Sequence, residues 1–131
     1  MSQSKVKNEL ANMIESFDFK DSDFSASVKI PHNFSLFPAH FPERPIFPGF
    51  CQIQLVLVAY NKIYNKNYKL NAIKRAKFYN IIQPEDNLII ETTFSSAGEN
   101  ILQLKTYLKK KNTEFTKISF LKITATSEKE Q

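Results

Sequence analysis

Cysteine, glycine, histidine and tryptophan are scarce in this 131-residue chain: one Cys, two Gly, two His and no Trp. A lone Cys51 forbids an intrachain disulfide, which agrees with a reducing, cytoplasmic setting. Two His and one Cys are too few and wrongly spaced for a closed metal site, so neither a metal nor a cofactor is expected. With 42% hydrophobic residues, 12 Phe and little glycine, the chain can bury a core and is not of the disordered class. Long apolar runs are missing too. The longest, Leu55 to Tyr60, is far too short to span a bilayer. Met1 to Ile14 is polar and lacks an apolar h-region, so neither membrane insertion nor a secretory leader is expected. The length suits one domain over 1–131, with no linker or repeat.

Carboxylates are absent from Arg44 to Pro84, a stretch that holds seven basic residues: Arg44, Lys62, Lys66, Lys69, Lys74, Arg75 and Lys77. Net charge is +5. The simplest reading is a solvated surface, but a basic face would also attract an acidic partner and speed encounter. There is no zinc-finger or RNP-like motif and the aromatics sit in apolar patterns, so nucleic acid is not an expected partner.

What is present reads as α+β. Val6, Leu10, Met13 and Ile14 recur near helical spacing, predicting a short helix from Ser4, which can cap it, to Ser16. Phe17 to Ile30 alternates as a strand pair around a turn at Asp21-Ser22-Asp23. Gly49 to about Asn65 predicts a helix about 25 Å long at 1.5 Å per residue. Its apolar residues run nearly all round, so it should be buried on all sides, with a sheet wrapped around it. Strands are expected at Leu70–Tyr79, Asn87–Ser95, Ile101–Leu108 and Phe115–Thr126. Turns at 95–100 and at Lys109–Asn112 make the last three an antiparallel meander. Ser127 to Gln131 reads as a frayed tail.

The run His40-Phe41-Pro42-Glu43-Arg44-Pro45-Ile46-Phe47-Pro48-Gly49 carries the chemistry. Its three prolines make a rigid, non-helical lead-in. It sets an imidazole nine residues before the glycine that opens the long helix, where free N–H donors and the dipole favour negative charge. His40 suits a base, because imidazole titrates near neutrality; a histidine hydrogen-bonded in a turn is the plain alternative. Gly49 suits an oxyanion donor and also a simple N-terminal glycine. Gln52 is polar in an apolar run. It needs a partner, either backbone within the fold or a group across a dimer or on a substrate. Cys51, near the helix start, reads as a small hydrophobe before it reads as a nucleophile. His32, after Pro31, is expected to be exposed.

This pattern, HFP followed by PG and an apolar helix, resembles the active-site signature of the beta-hydroxyacyl-acyl-carrier-protein dehydratases (FabA/FabZ type, including the aryl-polyene branch). Leu36-Phe37-Pro38-Ala39 upstream resembles the segment entering that site. Ala76 to Asp86 downstream resembles the family's KF…P…PGD strand and turn. A glutamine like Gln52 is a feature of the aryl-polyene branch. The resemblance implies a hot-dog fold, an antiparallel sheet wrapped around one long central helix, assembled as a homodimer or larger with sites across the interface. It implies a hydro-lyase acting on a 3-hydroxyacyl thioester of acyl carrier protein or CoA, in fatty-acid or related lipid or polyene synthesis. His40 would be the base and the Gly49 N–H the oxyanion donor. Phe47, Pro48, Phe50, Gln52 and Phe78 would line the acyl site.

The chain departs from the family at the carboxylate fourteen residues after the histidine, where it has Gln54. An amide can hold a leaving hydroxyl or a water but cannot protonate it. Three accounts follow: His40 performs both proton transfers, the chain binds acyl thioesters without dehydrating them, or Gln54 is an introduced substitution. A hot-dog thioesterase ranks third as a function, since that chemistry generally relies on a carboxylate near the helix.

Overall fold

The computed structural model describes residues 3–38 and 43–125, without the side chains at 3, 4, 120 and 121. Its elements are α1 (Gln3–Asn12), β1 (Ile14–Phe19), β2 (Asp23–Lys29), α2 (Gly49–Tyr64), β3 (Tyr68–Phe78), β4 (Asn87–Gly98), β5 (Ile101–Lys110) and β6 (Thr113–Ala125). The six strands form one antiparallel sheet in the order β1-β2-β4-β5-β6-β3. The sheet wraps around α2, giving the α+β hot-dog arrangement. Among the described residues no helix is long and apolar enough to cross a membrane.

Strand alternation builds the core. Phe24, Ala26 and Val28 of β2, Leu88 and Ile90 of β4, Leu104 and Leu108 of β5, and Ile118 and Ile123 of β6 are all buried. They meet Leu55, Val56, Ala59 and Tyr60 of α2 in one cluster. Three inward strand positions are polar, Thr92, Thr106 and Thr116, and the Thr92 and Thr106 hydroxyls satisfy each other at 2.9 Å, which offsets the cost of burying them. The helix ends at Asn65, whose left-handed conformation (φ 51°) suits a C-terminal cap. Asn61 then ties that end to β3, donating to Tyr68 O (3.0 Å) and accepting from Tyr68 N (2.8 Å).

Several sequence expectations need correction. The first helix stops at Asn12 rather than Ser16, because Ile14 pairs with Val28 and Met13 O accepts Lys29 N at 3.0 Å. Met13 and Ile14 are core residues on either reading, so helical spacing could not tell where the helix yields to the strand. Lys109 and Lys110 belong to β5, and the turn narrows to Lys111-Asn112, with Lys111 at φ 57°. The long helix is not covered all round. Phe50 is exposed and Ile53, Gln54 and Val58 are half-buried, so one stripe of α2 stays open while the sheet and α1 cover the rest. The expected tail, 127–131, lies outside the described residues.

Residues 83–86 form a tight turn that anchors the end of β2. Ile30 N donates to Asp86 O (3.0 Å) and Glu85 N donates to Ile30 O (2.6 Å). Glu85 sits at φ 71°, a left-handed conformation that suits glycine. Its carboxylate reaches Lys29 (3.3 Å) and His32 (3.1 Å), exposed contacts of small net worth. Backbone strain should therefore dominate. Glu85→Gly is expected to be more stable than Glu85→Ala by about 1 kcal/mol in urea denaturation. Equal midpoints would show that the turn carries no strain.

Candidate active site

The lead-in to α2 is held by aromatic packing on one side and a backbone bond on the other. Phe34 stacks edge-on with Phe37 and tilts against Phe47, both at 5.4 Å between centroids. Phe47 N donates to Ile82 O at 2.8 Å. Pro48 then caps the helix in an extended conformation (φ −67°, ψ 153°), with no side-chain hydrogen bond. Its carbonyl accepts from both Cys51 N and Gln52 N at 3.1 Å. The Gly49 N–H precedes these two, so the helix itself has no acceptor for it. The first turn holds no acidic residue, so nothing there offsets the positive end of the helix dipole.

Gln52 locks this start in place. It is 3% exposed, and its Nε2 donates to Phe47 O at 3.2 Å while its Oε1 accepts from the buried Thr116 hydroxyl of β6. Of the two partners open to it in the sequence, the structure supplies internal ones. Thr116 was not foreseen; the signal for it is a threonine at an inward position of a strand, in phase with Ile118. Gln54 lies two residues on, about 200° round a helix at 3.6 residues per turn, and so faces away from the sheet. It sits half-buried on the open stripe, one turn from Phe50.

Phe78 closes over the helix start. A methyl on Gly49 would come within 2.8 Å of the Phe78 ring, so glycine lets ring and backbone approach. Phe78 (46% exposed), beside Gly49, and Phe50 (54%), next along the helix, leave apolar surface open here; Tyr79 (53%) and Ile81 (47%), just after β3, are exposed as well. Phe47, expected to line the acyl site with them, instead has no exposed surface and serves the core. Pro48 is half-buried between the two sets. His40 lies outside the described residues.

Among the described residues the carboxylates of Glu9, Glu85 and Asp86 have other partners; Glu9 accepts from Ser35 N at 2.9 Å. Glu85 is tied to Lys29 and His32, which hold its pKa below the usual carboxylate value. Asp86 binds Lys110 Nζ (2.9 Å) and Gln83 N (2.8 Å). His32 is exposed, as its place after Pro31 suggested. Among the described residues no cluster of His, Cys, Asp and Glu is placed to hold a metal ion. Two surface clefts lie elsewhere. One of about 630 Å³ is lined by Glu9, Met13, Lys29, His32 and Glu85, and another of about 430 Å³ by Asp18, Phe24, Glu91 and Tyr107. Neither contains a residue expected to act on substrate.

The comparisons with known proteins decide the family. A family model described as ApeI-like, ApeI dehydratase, matches residues 16–122. This chain belongs to the ApeI-like dehydratase family. A 3-hydroxyacyl-[acyl-carrier-protein] dehydratase FabZ from Rickettsia felis is 34% identical over 91 residues, covering 60% of this chain and 63% of that protein. The FabZ of Escherichia coli O9:H4 is 30% identical over 98 residues, covering 67% of this chain and 65% of that protein. The chain thus spans just under two thirds of the length of these curated relatives. The dehydratase heterocomplex ApeI:P from Xenorhabdus doucetiae superposes with a TM-score of 0.68 at 17% identity, over 87% of this chain and 96% of that one. The fluoroacetyl-CoA thioesterase FlK also reaches 0.68, at 12% identity over 86% of this chain and 92% of that one. At those identities the structures establish the hot-dog fold alone.

Two measurements test the site's framework. Thr116→Val or Gln52→Leu leaves a buried polar partner unsatisfied and is expected to cost about 1–3 kcal/mol in urea denaturation. Wild-type midpoints in both variants would mean that the Gln52 bonds contribute nothing. Burial, assisted by Glu9, pushes the Cys51 thiol up to about 12. The native protein should therefore resist a thiol-disulfide reagent at pH 8 and react on unfolding. Rapid labelling of the folded chain would overturn that.

Proposed function

We propose that this chain is a hydro-lyase that removes water from, or adds it to, a 3-hydroxyacyl thioester borne on acyl carrier protein or CoA. The observation that carries the proposal is the start of α2: a Gly49 N–H on a helix end whose first turn holds no acidic residue, covered by an apolar ring and fixed from behind by Gln52. A thioester oxygen that gains charge as C2 loses its proton would be met there by a fixed donor. Phe50 and Phe78 supply apolar surface for the first carbons of the acyl chain. His40 takes the C2 proton. With Gln54 unable to donate one, the resulting imidazolium returns the proton to the departing 3-hydroxyl, which leaves as water while the C2–C3 double bond forms. Gln54 holds that hydroxyl as a hydrogen-bond partner. The open stripe Phe50–Gln54–Val58 and the bare edge of β3 support a homodimer or larger, with a second copy walling the site.

Gln54 favours a second reading, an acyl-thioester binder that does not dehydrate. A thioesterase ranks third, because the helix offers no carboxylate.

Hydration of a crotonyl thioester, followed by loss of enoyl absorbance, separates these. Turnover should fall by about 100-fold or more in His40→Ala. Its pH profile should show one titrating limb rather than a bell, because position 54 does not ionise. A silent parent revived by Gln54→Glu would favour the binder. Release of free thiol would point to the thioesterase, and silence in both proteins would sink the hydro-lyase.

A further inference from the structure

The outer face of the sheet carries a basic array that the chemistry above does not use. Thr106 and Leu108 point into the core, so Lys105, Tyr107 and Lys109 of β5 point outward. Lys117 of β6, between the buried Thr116 and Ile118, does the same. The ammonium groups of Lys105, Lys109 and Lys117 all lie 5.7–5.8 Å from the centre of the Tyr107 ring. The array continues onto β3, where Lys77 sits directly opposite Lys117 and Arg75 opposite Ser119. Glu91 neutralises Lys109 at 2.7 Å. Among the described residues Lys105, Lys117, Lys77 and Arg75 have no carboxylate partner.

Such an arrangement works against folding. Like charges directly opposite on neighbouring strands repel, and a tyrosine face offsets only part of that for three ammonium groups. An anionic partner would remove the repulsion. The cations spread over two inter-strand spacings and four residues of strand, an area of about 10 by 14 Å, too wide for one phosphate or carboxylate. The array also stands close behind the candidate site. Lys77 precedes Phe78, whose ring covers Gly49, and Lys117 follows Thr116, which bonds Gln52. In register, the inward pair Phe78–Thr116 adjoins the outward pair Lys77–Lys117.

We propose that Lys105, Lys117, Lys77 and Arg75, around Tyr107, form the docking surface for an acidic protein that carries the thioester, with its acyl arm passing round the end of β3 to Gly49. This rests on the thioester reading above. It places the carrier on the sheet's outer face rather than over the helices.

The test compares the purified full chain with Lys105→Glu/Lys117→Glu and with the milder Lys105→Gln/Lys117→Gln. Each is given one crotonyl group on an acidic acyl carrier protein or on uncharged N-acetylcysteamine, beside direct binding of the unloaded carrier across a salt series. The charge-reversed pair should raise KM for the carrier-bound substrate about tenfold and the glutamine pair less, with kcat on the small thioester unchanged. Carrier binding should weaken in the same order and lose its salt dependence. Lysine-dependent carrier binding without turnover of any thioester would support the docking surface while the hydro-lyase reading fails. Turnover with carrier KM and binding unchanged in both variants would overturn it, leaving the lysines as solvated surface charge. Equal losses on both substrates, or lysine-dependent binding of nucleic acid in place of the carrier, would also overturn it.

Discussion

The burial of α2 inside the sheet is the constraint on which the rest depends. Cys51, Leu55, Val56, Ala59, Tyr60 and Ile63 make the helix's covered face apolar, and Gln52 is the polar exception. A buried amide is tolerable only when bonded, and this one is bonded in two directions, to Thr116 on β6 and to the carbonyl of Phe47. Those bonds tie the helix to the lead-in just before it and to a strand distant in sequence. Hydrophobic burial is non-directional and would allow the helix to slide or turn by a fraction of a residue. The two hydrogen bonds are directional and fix which peptide lies at the helix start.

That division explains why two glutamines so close together do different work. Gln52 faces the sheet and is committed to the fold. Gln54, on the far side of the same turn, stands on the stripe the monomer leaves open. The apolar rings around it have the same character: Phe78 and Phe50 are half exposed, while Phe47, three residues before Phe50, is fully enclosed. The boundary between core and candidate site therefore runs through α2 itself. Pro48 and Gly49 mark it.

The sequence made the local elements legible and left the long-range ones hidden. Period-two alternation marked β2, β4 and β5, because inward residues such as Leu104 and Leu108 are apolar while Lys105 and Lys109 beside them are charged. The helix start at Gly49 was legible from Pro48 and the apolar run after it. The β4-β5-β6 meander was legible from its short turns, but the place of β3 was not: it lies beside β6, and only pairing across more than fifty residues, such as Lys69 with Thr124, shows it. Where α1 gives way to β1 was equally hidden, since Met13 and Ile14 are apolar in both elements. The all-round apolarity of α2 suggested complete burial, yet composition cannot say which stripe a monomer leaves uncovered. Thr116 escaped notice because its importance lies in facing Gln52, a relation between two elements rather than a property of either.

The missing carboxylates between residues 44 and 84 affect fold and chemistry together. A carboxylate on the first turns of α2 would lie in the field of the helix's positive end, which favours its ionised form. A general acid must be protonated to work, so such a group would need burial to raise its pKa against that field. Gln54 avoids the conflict. It keeps hydrogen-bonding capacity on the open stripe without introducing a charge, and it leaves the whole of the helix field to the Gly49 N–H. On the hydro-lyase reading proposed above, proton traffic would then pass through the His40 imidazole alone. On that reading the chain gives up a second titrating group in exchange for an undivided anion-stabilising end, and the reaction would run with one proton carrier and one fixed donor.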